Sequence, residues 1–229
     1  MRRLPRGGHD GKQGRDLDTG RQEVSSTVTP LEFHAPLIQE DEARAGYYAL
    51  LARLFYAGPD AGLLRTIAGS AGIATAGGRL DGPWNALAAA AGATEAEAAR
   101  LEYDELFVGT GKAEVTPYAS SYLAATGREK ILVRLKQDLA SLGLGKAGAA
   151  REPEDHFAGL FEVMRHLISE GSDDAALQKQ LGFFSAYIER SFEGFCLAVS
   201  ANEKARFYKY VSHFASSFLV VEREALKVL

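Results

Sequence analysis

The chain has 229 residues, of which 46% are aliphatic, aromatic or cysteine and 24% are charged, and its formal charge is -4. This composition is typical of a globular protein with one sizeable core, and the acidic balance argues against binding to nucleic-acid phosphates. The single cysteine, Cys196, excludes an intrachain disulfide and a cysteine-based zinc site and fits a reducing compartment. No run of about 18 apolar residues occurs, so the sequence predicts no membrane span.

The first 36 residues are rich in glycine, arginine, aspartate, serine and threonine and show no sustained periodicity. We therefore predict a disordered or loosely packed tail over residues 1–36, followed by one domain over residues 37–229. The basic start is followed by glycines and charged residues instead of an apolar stretch, so it does not resemble a signal peptide. We expect the protein to stay in the cytoplasm.

The predicted elements begin near residue 40, where apolar residues recur every three or four positions and indicate a helix that ends at Gly58-Pro59. A short helix is predicted around residues 63–67. Asp81 is predicted to cap a third helix that carries Pro83 in its first turn. The run Thr94-Glu95-Ala96-Glu97 predicts a capping box that opens a fourth helix, which continues to residue 107.

A loop over residues 109–117 and a helix over residues 128–142 are predicted next, and a linker of small residues follows over residues 143–151. Three helices come after it. The second is predicted as one long helix with an apolar stripe from Leu177 to Val199, and the third begins after a cap at Asn202. Cys196 lies on this stripe and is predicted to be buried. Without strand alternation or repeats, the prediction is an all-α domain of about 8–10 helices with a hinge-like linker.

The densest polar cluster is Glu152-Pro153-Glu154-Asp155-His156, which precedes an amphipathic helix. If that helix includes Asp155, this side chain lies opposite the apolar face and His156 borders it. One interpretation is structural: the acids complement the helix dipole, and His156 bonds a loop carbonyl. A metal site is disfavoured because neighbouring helical residues point about 100° apart and no His-Glu-x-x-His pattern occurs.

A second cluster interleaves aromatic and acidic residues over residues 102–109 and continues at residues 117–123. One interpretation is ordinary helix packing with solvated acids. The other is an apolar groove with an acidic rim, which suits a peptide that starts with basic residues and continues with an apolar run.

Together, the two clusters resemble the TorD/DmsD/NarJ family of redox-enzyme maturation chaperones, over about residues 40–226. The resemblance rests on Tyr103-x-x-Leu106-Phe107-Val108-Gly109, on Pro117-x-x-Ser120-x-Tyr122-Leu123 and on Glu152-Pro153-x-Asp155-His156. Two finer features resemble the formate dehydrogenase-associated branch of the family: the Glu-Pro-Glu-Asp-His form and the run Arg134-Leu135-x-x-Asp138-Leu139.

The resemblance implies a cytoplasmic, non-catalytic chaperone for a molybdoenzyme catalytic subunit. Such a chaperone binds the twin-arginine leader or N-terminal region and assists molybdenum-cofactor insertion before export. It carries no cofactor, because molybdopterin guanine dinucleotide belongs to the client; weak GTP binding is a family property for which the sequence offers no phosphate loop. The family includes monomers and domain-swapped dimers, and the linker over residues 143–151 would be the hinge.

The resemblance also implies peptide-binding positions, which are Tyr103, Leu106, Phe107, Pro153, Asp155 and His156, with Ser120 and Tyr122 nearby. We expect the acids to receive the two guanidiniums through charge-assisted hydrogen bonds. These acids are Asp155 together with Glu152, Glu154 or Asp104. Two alternatives stay open: an assembly factor that binds the mature subunit of a non-exported molybdoenzyme, and a small helical hydrolase that uses His156 and nearby acids.

Overall fold

Ten α-helices make up the part of the chain that the computed structural model describes, which is residues 39–72, 78–109, 112–145 and 153–228. The all-α prediction is confirmed, because these residues contain no strand and a single isolated bridge, between Tyr118 and His156. The predicted tail over residues 1–36 lies outside the described residues. The helices are α1 Gln39–Tyr56, α2 Ala61–Gly69, α3 Asp81–Gly92, α4 Ala96–Tyr103, α5 Ser120–Leu123, α6 Arg128–Ser141, α7 Phe157–Ser169, α8 Asp174–Phe183, α9 Phe192–Ser200 and α10 Phe207–Val228.

The core forms where α7 packs along α1 and where α10 packs on α9 and α3. Aromatic rings from these helices interlock: Phe157 stacks on Phe195 with ring centroids 4.2 Å apart, and Phe195 meets Phe55 edge to face at 4.9 Å. All three rings are fully buried. Each contributes about 1.5–3 kcal/mol by burial, so the apolar faces that the sequence pattern identified hold the bundle together.

Two π-helical turns occur within helices that the sequence pattern predicted as regular: Asp104–Val108 forms the last turn of the fourth predicted helix, and Phe184–Ile188 follows α8. The prediction of one long helix from Leu177 to Val199 is wrong: the chain forms α8, the second π-helical turn and then α9. A π-helical turn holds more residues than an α-turn and therefore rotates the apolar face. The first such turn leaves Leu101 exposed while it buries Leu106 and Phe107.

Three predicted helix caps differ from the structure. The Thr94 hydroxyl donates to the Ala90 carbonyl at 2.7 Å, so it closes α3 and no capping box opens α4. Asp81 is the first residue of α3 and not its cap, although Pro83 does lie in the first turn. Asn202 accepts a hydrogen bond from the Lys204 amide at 2.9 Å within a turn, which leaves α10 to be capped by another residue.

Glu102 of α4 provides the cap of α10. Its Oε1 accepts hydrogen bonds from the amides of Arg206 at 2.7 Å and Tyr208 at 2.8 Å, and its Oε2 accepts from Phe207 at 3.0 Å. The carboxylate is buried at the positive end of a helix of 22 residues. One acidic side chain therefore satisfies three amides that the helix itself cannot satisfy, and it ties α4 to α10.

A buried ion-pair network joins α1, α8 and α10. The Arg44 guanidinium donates to both carboxylate oxygens of Glu222, at 2.8 and 3.1 Å, to Asp41 at 2.7 Å and to Gln180 at 3.0 Å. Burial opposes the charge of Arg44, but its hydrogen bonds and attraction to Glu222 are stronger and raise its pKa.

The prediction for Cys196 is confirmed: the thiol is buried on α9, and burial raises its pKa to about 12.

The α10 cap predicts a specific loss of stability. Glu102→Ala leaves three amides, two of them buried, without their acceptor, so we expect the free energy of unfolding to fall by about 2–4 kcal/mol. Glu102→Gln keeps one acceptor oxygen and should lose less. Urea unfolding followed by circular dichroism measures both variants. The control is Glu97→Gln, an exposed residue of the same helix; an equal loss in this control would contradict the cap.

Candidate peptide-binding groove

The two sequence clusters meet in the structure, although about 35 residues separate them. The Ala119 amide donates to the Asp155 carbonyl at 2.9 Å, and the Phe157 amide donates to the Pro117 carbonyl at 2.9 Å. Between these bonds, the Tyr118 ring meets the His156 ring edge to face, with centroids 5.4 Å apart. This short antiparallel pairing fixes the start of α7 against the segment that leads into α5.

His156 is the N-cap of α7. Its Nδ1 accepts the Ala158 amide at 3.2 Å, so the cap needs an imidazole without a proton on Nδ1. The helix therefore begins at Phe157, after Asp155. The expected helix-face position of Asp155 was wrong for this reason: the side chain is 2% exposed, and its Oδ2 accepts the Ser120 amide at 3.2 Å.

A cavity of about 530 Å³ lies between α1, α6 and the first turns of α7. We call it the α1/α7 groove. Pro153 and His156 of the polar cluster line it, together with Ala158 and the exposed Gly159. Its other apolar lining residues are Ala52, Tyr56, Leu139, Leu144 and Val163. Tyr56 is one of the few large apolar side chains that the described surface leaves mostly exposed.

Three charged side chains line the groove: Glu154 and Glu162 beside α7, and Arg53 on α1. Arg53 pairs with Asp60 at 2.6 Å. The groove is therefore apolar along its length, with two acids on one side and one cation on the other. Such a surface suits an apolar segment that carries basic groups at one edge.

The structure places the three residues of the first motif in the core. The Tyr103 hydroxyl donates to the Tyr56 carbonyl at 2.7 Å, at the end of α1. Leu106 is fully buried, and Phe107 packs edge to face on Phe55. These side chains support the α1 wall from behind, and a role in direct contact with a peptide stays a prediction.

The remaining predicted positions lie in three environments. Ser120 is buried and uses its amide to bond Asp155. The Tyr122 hydroxyl donates to the Thr116 carbonyl at 2.9 Å, and burial raises the pKa of Tyr122 to about 12. Asp104 bonds Arg100 at 2.7 Å and does not line the groove. Glu152 lies outside the described residues.

Sequence reasoning missed Glu162, Gly159 and the α1 wall. Glu162 falls beside the polar side of the α7 helical wheel, which was a usable signal. Gly159 is an exposed glycine inside a helix whose other face is strongly apolar, and such a residue often marks a close approach of another backbone. Ala52 and Tyr56 lie about 100 residues before α7, so only the fold brings them to the groove.

Among residues 39–72, 78–109, 112–145 and 153–228, no group of three or more His, Cys, Asp or Glu side chains could hold a metal ion. No helix within those ranges is long and apolar enough to cross a bilayer.

The described residues combine an all-α fold with an apolar groove between α1, α6 and α7. Residues 77–197, more than half of the chain, match the family model described as nitrate reductase delta subunit. The chain therefore belongs to this family of NarJ/TorD-type chaperones, which assist the maturation of molybdoenzymes. Comparison with the curated proteins gives no match. The matched range includes α6 and the whole α7 wall of the groove, whereas Ala52 and Tyr56 precede it.

The cap geometry predicts the effect of changing His156. His156→Ala removes the acceptor for the Ala158 amide and should lower the free energy of unfolding by about 1 kcal/mol. His156→Asn offers an amide oxygen at the cap and should recover most of this loss. Urea unfolding of the two variants measures the difference. Equal losses would indicate that the ring contact with Tyr118 matters and the cap does not.

Proposed function

We propose that the α1/α7 groove binds the twin-arginine leader of a molybdoenzyme catalytic subunit in the cytoplasm and retains the subunit until its cofactor is inserted. The observation that carries this proposal is the composition of the groove. Apolar side chains line most of its surface, two acids stand at one side, and two residues of the family motif, Pro153 and His156, form part of its wall. A leader offers the complementary order, two arginines followed by an apolar run.

The charges favour one orientation of the bound leader. Glu154 and Glu162 can accept guanidinium hydrogen bonds, which are strong because both partners are charged. Arg53 on the opposite wall would repel a second cation, although its pair with Asp60 reduces that effect. The arginines therefore belong beside α7, and the apolar segment lies against Ala52, Tyr56 and Val163.

Capture of this segment has a clear consequence for export. A leader held in the groove is unavailable to the translocon and to other apolar segments. Release follows when the folded, cofactor-loaded subunit binds less favourably than the unfolded one, because a ligand shifts an equilibrium only through differential affinity. No catalysis is needed in this scheme.

We propose a formate dehydrogenase as the client, on the basis of the Glu-Pro-Glu-Asp-His form and the Arg134-Leu135-x-x-Asp138-Leu139 run. A second candidate is an assembly factor for the mature catalytic subunit of a non-exported molybdoenzyme. The family description, nitrate reductase delta subunit, favours this second candidate.

The two candidates are separated by calorimetric titration with a synthetic leader from a formate dehydrogenase catalytic subunit of the same organism. We expect saturable binding that weakens about tenfold or more when both arginines become alanine. Glu154→Gln and Glu162→Gln should each weaken binding of the native leader. Asp155→Asn keeps an oxygen for Ser120 and should weaken it less, unless Asp155 itself receives a guanidinium.

If the leader with two alanines binds as tightly as the native leader, the proposed role of the acids is contradicted. Absence of binding to the leader, combined with binding to the leaderless subunit, would favour the assembly factor.

A steric variant tests the groove itself. A Cβ at Gly159 would meet only the Glu154 carbonyl oxygen, at 3.5 Å, so Gly159→Leu should project into the groove without disturbing the core. We expect leader affinity to fall at least tenfold, while helix propensity raises stability by about 0.5–1 kcal/mol. Calorimetry and urea unfolding measure the two effects.

The matched control is Gly46→Leu, an exposed glycine within α1 whose added Cβ would meet nothing within 4 Å. It should gain similar stability without losing affinity. Unchanged affinity in folded Gly159→Leu would place the leader elsewhere.

A further inference from the structure

Both acids that line the groove are paired with cations that do not line it. Glu154 lies 3.7 Å from the Lys136 ammonium, which projects from α6. Glu162 lies 2.7 Å from the Arg165 guanidinium, one turn further along α7, and also accepts its Nε at 2.8 Å. Neither Lys136 nor Arg165 is among the described residues of the groove wall. The protein therefore supplies its own cations to the positions where the proposed leader would place its arginines.

These two pairs differ in strength and exposure. Lys136 has a side chain that is 60% exposed, and the distance of its contact is that of an ion pair without a hydrogen bond. The Glu154 side chain is 17% exposed, so this carboxylate is shielded from water more than its partner is. Arg165 holds Glu162 by two short contacts, but both side chains are about half exposed. Exposed pairs of this kind are weak, so an incoming cation can replace them.

The type of the incoming cation decides the exchange. A guanidinium presents a planar fork that bonds both carboxylate oxygens, whereas an ammonium is a point charge. A client arginine therefore improves on the single long contact of Lys136, but a client lysine only replaces one ammonium by another. At Glu162 the resident cation is already an arginine, so a client arginine only equals it and a client lysine binds less well than it does.

Resting on the proposed leader-binding function, we propose that Lys136 and Arg165 are resident competitors that set the affinity of the groove for the cations of a leader. They occupy Glu154 and Glu162 in the absence of a client, so the cations of a leader gain only the difference between their own bonds and the resident ones. This competition lowers the affinity for every leader that carries cations, and any preference for arginine over lysine comes from the stronger bonds of the guanidinium itself.

The test is a set of calorimetric titrations with three leaders that carry two arginines, two lysines or two alanines at the same positions. Lys136→Gln and Arg165→Gln should each tighten binding of the twin-arginine leader about two- to fivefold, the range expected for an exposed ion pair. They should tighten binding of the twin-lysine leader by a similar factor, because a competitor common to both leaders does not change the ratio of their affinities. The twin-alanine leader should be unaffected.

Two further variants separate this effect from a change in net charge. Lys179→Gln removes a cation of similar exposure that pairs with Glu170 and lies away from the groove, so it should leave the affinities for all three leaders unchanged. Lys136→Arg keeps the net charge but provides a stronger competitor, and it should weaken twin-arginine binding. We therefore expect Lys136→Gln to raise the affinity for the twin-arginine leader and Lys136→Arg to lower it.

The outcomes distinguish this inference from the proposed function. The inference alone would be overturned if wild-type binding depends on the arginines but the variants leave the affinity for the leader unchanged. The same conclusion would follow if all the variants, including Lys179→Gln, changed this affinity alike. No binding of any leader by the wild type or by the variants would overturn both. Binding that appears only in Lys136→Gln or Arg165→Gln would support both.

Discussion

The pairing of two loop segments, residues 117–120 and 155–157, is the interaction on which the groove depends. Two backbone hydrogen bonds of 2.9 Å and the Ser120-to-Asp155 bond define where the chain turns into α7. Because α7 is also the helix that packs along α1, its starting point sets both the core and the wall of the groove. A substitution that breaks this pairing would therefore change both the free energy of unfolding and the shape of the groove.

Two neighbouring acids of this region, Asp155 and Glu154, differ in burial, and this difference determines what each carboxylate contacts. Asp155 is nearly inaccessible and accepts an amide, so its charge is used to hold the turn. Glu154 precedes it by one residue, lines the cavity and can exchange partners. A buried carboxylate that loses its partner incurs a large desolvation penalty, whereas an exposed one is solvated by water. In the proposed function, the acid that binds and releases a client is therefore Glu154, whose side chain is less buried than that of Asp155.

The sequence was sufficient for the helices whose apolar stripes follow one continuous period, such as α1 and α10, and for their all-α assembly. It was insufficient at two kinds of place. The π-helical turns shift the apolar face by an amount that periodicity cannot reveal, which is why Leu101 is exposed. The α10 cap comes from Glu102, about 100 residues away, so no local sequence motif could predict it.

Within the site, the family motif predicted residues of the groove wall in Pro153 and His156, but the burial of Asp155 depended on the start of α7, which is Phe157. Helix boundaries are the least certain part of a prediction from periodicity, and a residue that lies before the helix does not follow its steps of about 100° per residue. The α1 wall could not be predicted because nothing in residues 52–56 distinguishes a groove-lining face from any other part of α1.

α7 has two opposing requirements, and Gly159 reconciles them. Phe157, Leu160 and Phe161 are buried in the bundle, while the other side of the same turn lines the groove. A glycine inside a helix lowers stability by about 1 kcal/mol relative to alanine. Two buried phenylalanines offset more than that, at about 1.5–3 kcal/mol each. The burial of the apolar face of α7 therefore offsets the cost of a glycine at position 159, where α7 lines the groove.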